Sequence, residues 1–572
     1  MYLHKSKRKD GRVYLSIAQG YRIGTKSSTK TIESLGYVDE LEKDFADPIA
    51  HFSAQVKAMN AQRRELDSFS VDVSLDEQLK TGPNRKNLGF VALSALYHSL
   101  GLKDLLDNCQ KDLNSNFSLN QIVKLLVYER ILNPGSKKAN FENKDAYFEK
   151  FDFSLDDIYR ALSALAPLKE RIELFLHKRI SSCWGRDTSL VYYDVTNYYF
   201  ESEVTDDLRK KGFSKENKPD PIVQMGLLTD QNSIPIGYEL FAGNTLDCKT
   251  LLPVLSRVKK TYGLNRIIVV ADKGLNTSDN VIYNLVKKDG YIFSKSVRKA
   301  DADLRRWVTA RTGYSKINKD RFSKSRLSTR TCSIERADGS ELKISIEEKQ
   351  VAIWSRKYAQ RARNKRAEVL AKAQELIDSP SKYTRATHYG ACKYIKNLRI
   401  DKETGEIADE KRDLLLDKAR IEKEEALDGF YIITTSEIDM CEQEVFAIYS
   451  NLAKIEASFK VTKTDLRARP VYLSRTDHIQ AHFLTCFIAL TLMRLLEIST
   501  RNRHSTGALI SAMRKCSASH LQENIWLFDY RSDVLDDIGS ALNIDFSSKF
   551  LRQAEARKIV ASSKKSKIKH KA

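Results

Sequence analysis

Two acidic residues stand out because each lies where a charged side chain is unusual. Asp194 interrupts the run Leu190–Phe200, which is rich in Val, Tyr and Thr, and Asp272 directly follows the apolar run Ile267–Ala271. This composition is typical of strands that are buried on at least one face. A carboxylate there is costly unless it is paired, hydrogen-bonded or bound to a metal. The two acids therefore predict a divalent-metal site, with a third acid supplied by a helix elsewhere in the chain.

The segment from Tyr449 to Lys463 supplies the best candidate for the third acid, Glu456. In a helix that turns about 100° per residue, Tyr449, Leu452, Glu456 and Lys463 fall on one face. We therefore predict a single helix over this segment, from which Glu456 and Lys463 address one substrate together.

The three segments together resemble the DDE transposases of bacterial insertion sequences, specifically the group whose third acid lies in a Tyr-Arg-Glu-Lys signature. The resemblance is clearest over residues 189–300 and 429–497. Phe241–Asp247 and the Arg469-Pro470-Val471 that follows the signature are further matches. One signature position differs, since its Arg is Leu452 in this chain.

The resemblance implies an α/β protein with an RNase H-like catalytic core, in which Asp194, Asp272 and Glu456 are both the catalytic residues and the metal ligands. The implied cofactor is Mg²⁺ or Mn²⁺, as a pair of ions. Hard cations of this kind prefer oxygen ligands. Two ions suit phosphodiester chemistry because one activates the attacking oxygen and the other stabilises the leaving oxygen.

The implied function is that of a DNA transposase that binds the terminal inverted repeats of its insertion sequence and catalyses metal-dependent strand cleavage and transfer. Its partners are then double-stranded DNA, as transposon ends and as target, and a second copy of the chain in a synaptic complex, since two ends are handled together. Two alternatives stay open: an RNase H-like nuclease without strand transfer, and a catalytically inactive DNA-binding relic.

The overall composition favours a nucleic-acid partner. The 572 residues carry a formal net charge of +21, and basicity spread along a chain is typical of proteins that bind a polyanion. The eight cysteines include no Cys-x-x-Cys pair, so neither a zinc site nor a disulfide framework is expected. Residues 1–23 are too charged for a secretory signal. The apolar segment Ala481–Leu496 contains His482 and Arg494 and is short for a membrane span, so a buried core helix is expected. We therefore expect a cytoplasmic, nucleoid-associated protein with no membrane partner.

Length and hydrophobic pattern divide the chain into six segments. The long interval between Asp272 and Glu456 exceeds what a compact core needs, so it indicates an insertion. The last segment is expected to end in a disordered basic tail from Lys549. The six segments are a small basic β unit with a linker helix at 1–80, a helical domain that we expect to bind DNA at 81–186, the first part of the RNase H-like core at 187–299, the insertion domain at 300–428, the second part of the core at 429–500, and a C-terminal helical region with the basic tail at 501–572.

The order of elements within the core also follows from the pattern. Ile222–Leu228 and Ile234–Phe241 flank turn residues, so these two strands and the Asp194 strand are predicted to form an antiparallel meander. Helices over Thr250–Tyr262 and Thr277–Lys288 are then predicted to alternate with strands. In the insertion, Asp338-Gly339 predicts the turn of a hairpin.

Six residues are expected to contact DNA. If the signature helix continues, Arg467 lies on the same face and supplies the positive charge that is absent at Leu452. A tryptophan ring in the insertion could stack on an unpaired base, or could belong to the core of a strand. The six residues are Tyr449, Lys463, Arg467, Arg305, Arg306 and Trp354.

Overall fold

The computed structural model divides the chain into two compact units, Met1–Lys80 and Thr81–Ala572. It describes residues 1–8, 10–23, 26–66, 84–113, 115–201, 203–212, 219–335, 338–379, 390–396, 414–521 and 524–568.

The first unit is a three-stranded antiparallel sheet followed by helices, as its alternating sequence predicted. Leu15 and Ile17 alternate along the middle strand and are fully buried. Phe52 and Val56 are four residues apart in the long helix and are also buried, which makes that helix amphipathic. The elements are β1 (Tyr2–Lys7), β2 (Val13–Ile23), β3 (Lys26–Tyr37) and the helices Val38–Leu41 and Pro48–Leu66.

The second unit begins with a short strand and a group of helices. The helical pattern predicted here is confirmed. So is the capping box, in which Ser154 and Asp157 exchange hydrogen bonds at the start of a helix. The elements are β4 (Arg85–Asn87), the helices Phe90–Ser99, Leu102–Gln110, Leu119–Leu132, Lys137–Glu142, Leu155–Leu165 and Lys169–Trp184, and the short 3₁₀ turns Lys144–Ala146 and Ala166–Leu168.

A nine-stranded mixed sheet forms the centre of this unit. Its first five strands lie in the order β7-β6-β5-β8-β9. The first three form the predicted antiparallel meander, whereas β8 runs parallel to β5 and β9 runs parallel to β8. This order and these directions define an RNase H-like core. The elements are β5 (Leu190–Tyr199), β6 (Ile222–Asp230), β7 (Pro235–Ala242), β8 (Ile268–Ala271), β9 (Gly290–Lys295), the helices Leu251–Tyr262 and Ser278–Val286, and the 3₁₀ turns Asp247–Lys249 and Lys273–Leu275.

The segment between the two core parts adds three strands to the same sheet. The predicted hairpin is confirmed, because β11 and β12 pair along their whole length and Glu335 faces Glu341 across the turn. β12 then pairs with β15, which pairs with β9, so the hairpin is continuous with the core. The elements are the helix Ala302–Thr309, β10 (Ser315–Asn318), β11 (Arg321–Glu335), β12 (Glu341–Ser355), the helix Arg356–Asp378, β13 (Ile395–Lys396), β14 (Leu415–Leu416), the helix Lys418–Glu425 and β15 (Phe430–Thr435).

A long apolar helix packs at the centre of the remaining elements. Thr476–Ser499 has the length and composition of a membrane span, but 94% of its most apolar window is buried inside the protein, which makes it a core helix. The elements after β15 are the helices Glu442–Ser450 and Ala453–Lys460, the π-helical turn Val461–Asp465, the helices Thr476–Ser499 and Thr506–Lys515, β16 (Ser517–His520), β17 (Ile525–Phe528), the helix Asp533–Leu542, β18 (Phe550–Arg552) and the helix Gln553–Ser563.

The C-terminal region is ordered, so the expectation of disorder from Lys549 is wrong for the described residues. β18, β17 and β16 form a four-stranded sheet with β4, so the last strands of the second unit are joined to its first strand. Ser563 donates a hydrogen bond to Ser94 at 2.9 Å, and Lys564 forms an ion pair with the buried Glu149. These tertiary contacts order a segment whose lysine-rich sequence alone predicts a solvated chain.

Candidate active site

The two carboxylates lie close to the same pair of neighbouring strand residues. In the parallel pair β5 and β8, Tyr192 lies beside Val270. Asp194 is two residues after Tyr192, and Asp272 is two residues after Val270. Side chains alternate along a strand, so Asp194 projects from the same face of β5 as Tyr192. Asp272 directly follows the end of β8 and begins the 3₁₀ turn Lys273–Leu275. The RNase H-like topology thus brings together two acids that are distant in sequence.

Each of these carboxylates is half-buried and hydrogen-bonded locally. Asp194 Oδ1 accepts from the backbone N–H of Val195 at 2.8 Å. Asp272 Oδ1 accepts from the backbone N–H of Gly274 at 2.9 Å and caps the 3₁₀ turn that follows β8. These bonds orient the side chain of Asp194 in the middle of β5 and that of Asp272 after the end of β8.

The signature segment does not form the single helix that we predicted from its spacing. One helix, Glu442–Ser450, contains Tyr449, and a second, Ala453–Lys460, contains Glu456 in its first turn. The segment ends in the π-helical turn Val461–Asp465, which contains Lys463. The break occurs next to Leu452, which is buried in the hydrophobic core.

Despite the break, side-chain contacts hold this segment against β5. Tyr192 donates its hydroxyl to the carbonyl oxygen of Ile448 at 3.1 Å. The hydroxyls of Tyr198 and Thr462 are hydrogen-bonded at 2.7 Å. On the same side, Lys463 Nζ lies 5.7 Å from the centroid of the Tyr198 ring. The segment that carries Glu456 therefore lies along the strand that carries Asp194.

The charges of all three acids act on the hydroxyl of one residue, Tyr449. Burial raises the pKa of its phenol to about 12, a hydrogen bond with Ser294 opposes this shift, and the charges of Asp272, Glu456 and Asp194 add to it. All three predicted acids thus act electrostatically on one hydroxyl. A phenol with this pKa stays protonated at neutral pH and keeps its proton for donation.

The structure positions Glu456 differently from the other two acids. Glu456 is exposed, whereas Asp194 and Asp272 are half-buried. Arg494 fixes the helix of Glu456 from the interior by donating to Ser458 Oγ at 2.9 Å. Over the described ranges, no three His, Cys, Asp or Glu side chains are grouped closely enough to hold one metal ion.

Arg467 does not extend the signature helix, so the geometric basis for its predicted role is wrong. The π turn ends at Asp465, and Arg467 has φ +42°, a left-handed conformation that is uncommon for a non-glycine residue. Arg130 holds this loop from the interior by donating to the carbonyl oxygens of Leu466 at 3.3 Å and of Arg467 at 3.2 Å. The side chain of Arg467 is exposed.

The other three residues that were predicted to contact DNA lie in the segment 300–428. Arg305 donates to the carbonyl oxygen of Ala300 at 2.7 Å, and Arg306 is exposed on the same helix. Trp354 is half-buried in β12, and its indole N–H donates to the carbonyl oxygen of Asp428 at 3.2 Å.

Sequence reasoning missed the residues that support the site from a distance. Arg130 lies in the helical segment and has no local motif that indicates its contact with the loop at 466–467. Arg330 donates to Asn276 Oδ1 at 2.6 Å, just beyond Asp272, and lies 3.6 Å from the fully buried Glu348. Both arginines act across long sequence separations, so only the folded chain reveals them.

The fold and the carboxylates define an RNase H-like enzyme of the kind that acts on nucleic acids. The family model for the transposase DDE domain matches residues 202–492, which is just over half of the chain. The model for the N-terminal domain of IS1634 family transposases matches residues 3–70. The chain therefore belongs to the DDE transposase family of insertion sequences and is a DNA transposase. Asp272 and Glu456 lie inside the matched interval, and Asp194 lies just before it.

A cryo-EM structure of a piggyBac transposase synaptic complex with hairpin DNA is similar over 82% of this chain and 85% of that chain, with 7% identity and a TM-score of 0.34. No curated protein matches the sequence.

Proposed function

We propose that Asp194, Asp272 and Glu456 form the catalytic centre that cuts DNA strands at the ends of the insertion sequence and transfers them to target DNA. The observation that carries this proposal is the shared position of the acids. Asp194 lies in β5 and Asp272 directly follows the parallel strand β8, each two residues beyond the paired Tyr192 and Val270. The charges of both acids and of Glu456 act on the phenol of Tyr449.

DDE transposases use divalent metal ions, and the chemistry of this donor set fits Mg²⁺ or Mn²⁺. Carboxylate oxygens are the ligands that such hard cations prefer, and Mg²⁺ commonly combines a few carboxylates with substrate phosphates. Asp194 and Asp272 would hold the metal as a pair. Glu456 would complete the set by a change of side-chain rotamer, which its exposure permits without disturbance of the core. Two bound ions would supply activation of the attacking oxygen and stabilisation of the leaving oxygen.

The neighbouring residues of the chain would orient the DNA. The phenol of Tyr449, protonated at neutral pH, can donate a hydrogen bond to a phosphate oxygen. Lys463 lies beside Tyr198 in the π turn, and Arg467 is exposed in the loop whose backbone Arg130 holds. Both residues would bring positive charge to the segment that carries Glu456. Together these residues form the arrangement of the Tyr-Arg-Glu-Lys group, with the signature's Arg replaced by Leu452 and its charge supplied by Arg467.

The partners follow from the same function. The site would act on double-stranded DNA that carries the terminal inverted repeats and then on target DNA, with two copies of the chain in the synaptic complex. A net charge of +21 favours association with DNA and hence with the nucleoid. Arg305 and Arg306 are proposed as further DNA contacts. Trp354 is proposed to contact DNA through the face of its ring, because its N–H is already donated to the backbone.

The test of this function is cleavage of a duplex that contains the inverted repeat flanking the coding frame. The parent protein should nick this duplex with Mg²⁺ and join the cleaved end to a second duplex. Asp194→Asn should do neither and should also bind Mn²⁺ more weakly by calorimetry. Nicking without joining would favour a nuclease, and the absence of both reactions in the parent protein would favour an inactive relic.

A further inference from the structure

A polar cleft of about 850 Å³ lies on the second unit, outside the carboxylate site. Its lining includes residues of β4 and β16, the end of the helix Thr506–Lys515, and Asn133, which follows the helix Leu119–Leu132. This volume is in the range of ligand-binding sites. The mechanism proposed above makes no use of the cleft.

The charge of the cleft indicates an anionic ligand. Three cations line it, Arg85, Arg514 and Lys515, together with a single anion, Asp529, which lies 3.2 Å from Arg85. Within the described part of the chain, no carboxylate forms an ion pair with Arg514 or Lys515. Asp465 acts on Arg514 through its charge, without a direct ion pair. The positive charge that lines the cleft therefore exceeds the negative charge.

Arg514 is held in place rather than loosely solvated. Its Nε donates to the carbonyl oxygen of Leu132 at 2.5 Å, and its own carbonyl oxygen accepts from Asn87 Nδ2 and from Ser517 Oγ, each at 3.1 Å. The rest of the guanidinium group remains for a ligand. An arginine that is fixed before binding loses little conformational entropy when it binds.

Lys515 lies beside an aromatic residue of the same cleft. Its Nζ is 5.5 Å from the centroid of the Tyr530 ring, and Tyr530 is half-buried. Arg514 and Lys515 are thus neighbouring cations that line the same cleft.

One helix connects the cleft to the loop that follows the signature segment. Near the end of Leu119–Leu132, Arg130 donates to the carbonyl oxygen of Arg467, and two residues later the carbonyl oxygen of Leu132 accepts from Arg514. The helix Thr506–Lys515 also packs against the π turn Val461–Asp465. The end of one helix therefore contacts both Arg467 and Arg514.

We propose that this cleft binds backbone phosphates of the double-stranded DNA on which the carboxylate site acts, with Arg514 and Lys515 as the phosphate-binding residues. Arginine donors match phosphate oxygens in geometry, and lysine adds a point charge. Contacts of this kind fix the position of a duplex without reading its sequence. The inference rests on the proposed function, because it takes its ligand from the reaction at the carboxylates.

The experiment measures equilibrium binding of the full-length protein to a fluorescent terminal-repeat duplex at several salt concentrations, in EDTA. The test variant is Arg514→Gln combined with Lys515→Gln. Each lost phosphate contact should reduce the slope of log K against log salt by about 0.9, so the double variant should lose roughly twice that slope and bind more weakly at low salt. Lys515→Gln alone, which keeps the bond from Arg514 to Leu132, should lose about half of that difference.

The matched control is Arg557→Gln combined with Lys558→Gln, an adjacent pair of exposed cations on the helix Gln553–Ser563. It removes the same charge outside the cleft and should keep the slope of the parent protein. The proposal is overturned if Lys515→Gln binds with the slope of the parent protein, or if the control loses as much slope as the test variant. Because binding is measured without metal, these outcomes leave the proposed function untouched. Unimpaired cleavage by Asp194→Asn would instead remove the proposed function and leave the measured phosphate contacts standing.

Discussion

The hydroxyls of Tyr198 and Thr462 are hydrogen-bonded at 2.7 Å, across the interface between β5 and the π turn. Asp194 lies four residues before Tyr198 on the same strand, and Glu456 lies six residues before Thr462. Both residues are buried, so a water molecule cannot take the place of a lost hydroxyl partner. This bond therefore fixes the strand of one acid relative to the helix of another.

Loss of this bond should weaken both stability and catalysis. Tyr198→Phe removes one hydrogen bond of the buried Thr462 hydroxyl, which still donates to the carbonyl oxygen of Phe459 at 2.9 Å. The loss should lower the free energy of unfolding by about 1 kcal/mol. Cleavage should fall mainly through kcat, because the acids lose their relative position while the DNA-contacting surface stays. Denaturant unfolding and steady-state nicking measure the two effects.

The control for this pair is Tyr199→Phe, on the next position of β5. The Tyr199 ring is half-buried and has the Arg469 guanidinium 5.6 Å from its centroid, a contact that phenylalanine keeps. It should change unfolding by less than about 0.5 kcal/mol. A Tyr198→Phe variant that behaves like Tyr199→Phe would show that the buried bond does not position the site.

Amide substitutions of the three acids test the catalytic centre. Asp194→Asn, Asp272→Asn and Glu456→Gln each keep the size of the side chain and remove its charge. Cleavage and strand transfer should both fall by orders of magnitude, since the same ions serve both steps. Binding of the terminal-repeat duplex should persist, also in Ca²⁺, and a gel-shift assay beside the cleavage assay separates the two properties.

Two neighbouring acids serve as controls for the amide series. Asp247 lies close enough to Tyr193 for its charge to act on that phenol, and Glu201 is hydrogen-bonded to the exposed Tyr472. Asp247→Asn and Glu201→Gln should therefore keep most of the activity. If Glu456→Gln cuts as well as the parent protein, the third ligand has been assigned to the wrong residue.

Substitution of Arg467 tests whether this residue supplies the positive charge that the signature lacks at Leu452. Arg467→Ala should weaken binding of the cleaved end several-fold at low salt, because a phosphate contact contributes about one unit to the salt dependence. Lys454 is also exposed, but it lies in the helix Ala453–Lys460 and not in the loop that carries Arg467. Lys454→Ala should therefore have a smaller effect. Fluorescence titrations over a salt series compare the two variants, and equal losses would refute the compensation.

The core strands and the order of the acids could be predicted from the sequence, since an apolar run interrupted by one carboxylate is a local signal. The break beside Leu452 could not be predicted, because neither Asn451 nor Leu452 is a helix breaker and the spacing of Tyr449 and Glu456 suits one helix equally well. Leu452 is buried in the core at this break, and its tertiary contacts are not visible in the local sequence.

The strand that pairs with the hairpin and the packing of the C-terminal segment could not be predicted from the sequence either. The hairpin at Asp338-Gly339 was predictable from its turn residues, but its pairing with β15 depends on a strand that lies far along the chain. The tail lysines suggested solvation, yet Ala556 and Val560 of the same segment are buried against the helical region. Packing of a few apolar residues outweighed the local charge.

A buried ion pair in the helical region predicts a specific dependence of stability on pH. Burial alone would raise the pKa of Glu149, but the charge and hydrogen bond of Lys124, with those of Lys564, outweigh burial and hold its pKa below the ordinary value of 4.5. A carboxyl whose pKa is depressed in the folded state stabilises the protein above its unfolded pKa, and this stabilisation is lost as the pH falls through the folded pKa. Stability should therefore decline on acidification below about pH 4.5.

Glu149→Gln should remove that part of the pH dependence and lower the free energy of unfolding at pH 7 by about 3 kcal/mol, because it leaves the buried Lys124 charge without its partner. Lys564→Gln should cost less, since Lys124 remains 2.6 Å from Glu149 and Lys564 is partly exposed. Lys565→Gln, the exposed neighbour, should leave stability unchanged. Urea unfolding of the four proteins between pH 3 and pH 7 gives the comparison, and a Glu149→Gln variant with the acid sensitivity of the parent protein would show that this pair does not anchor the C-terminal helix.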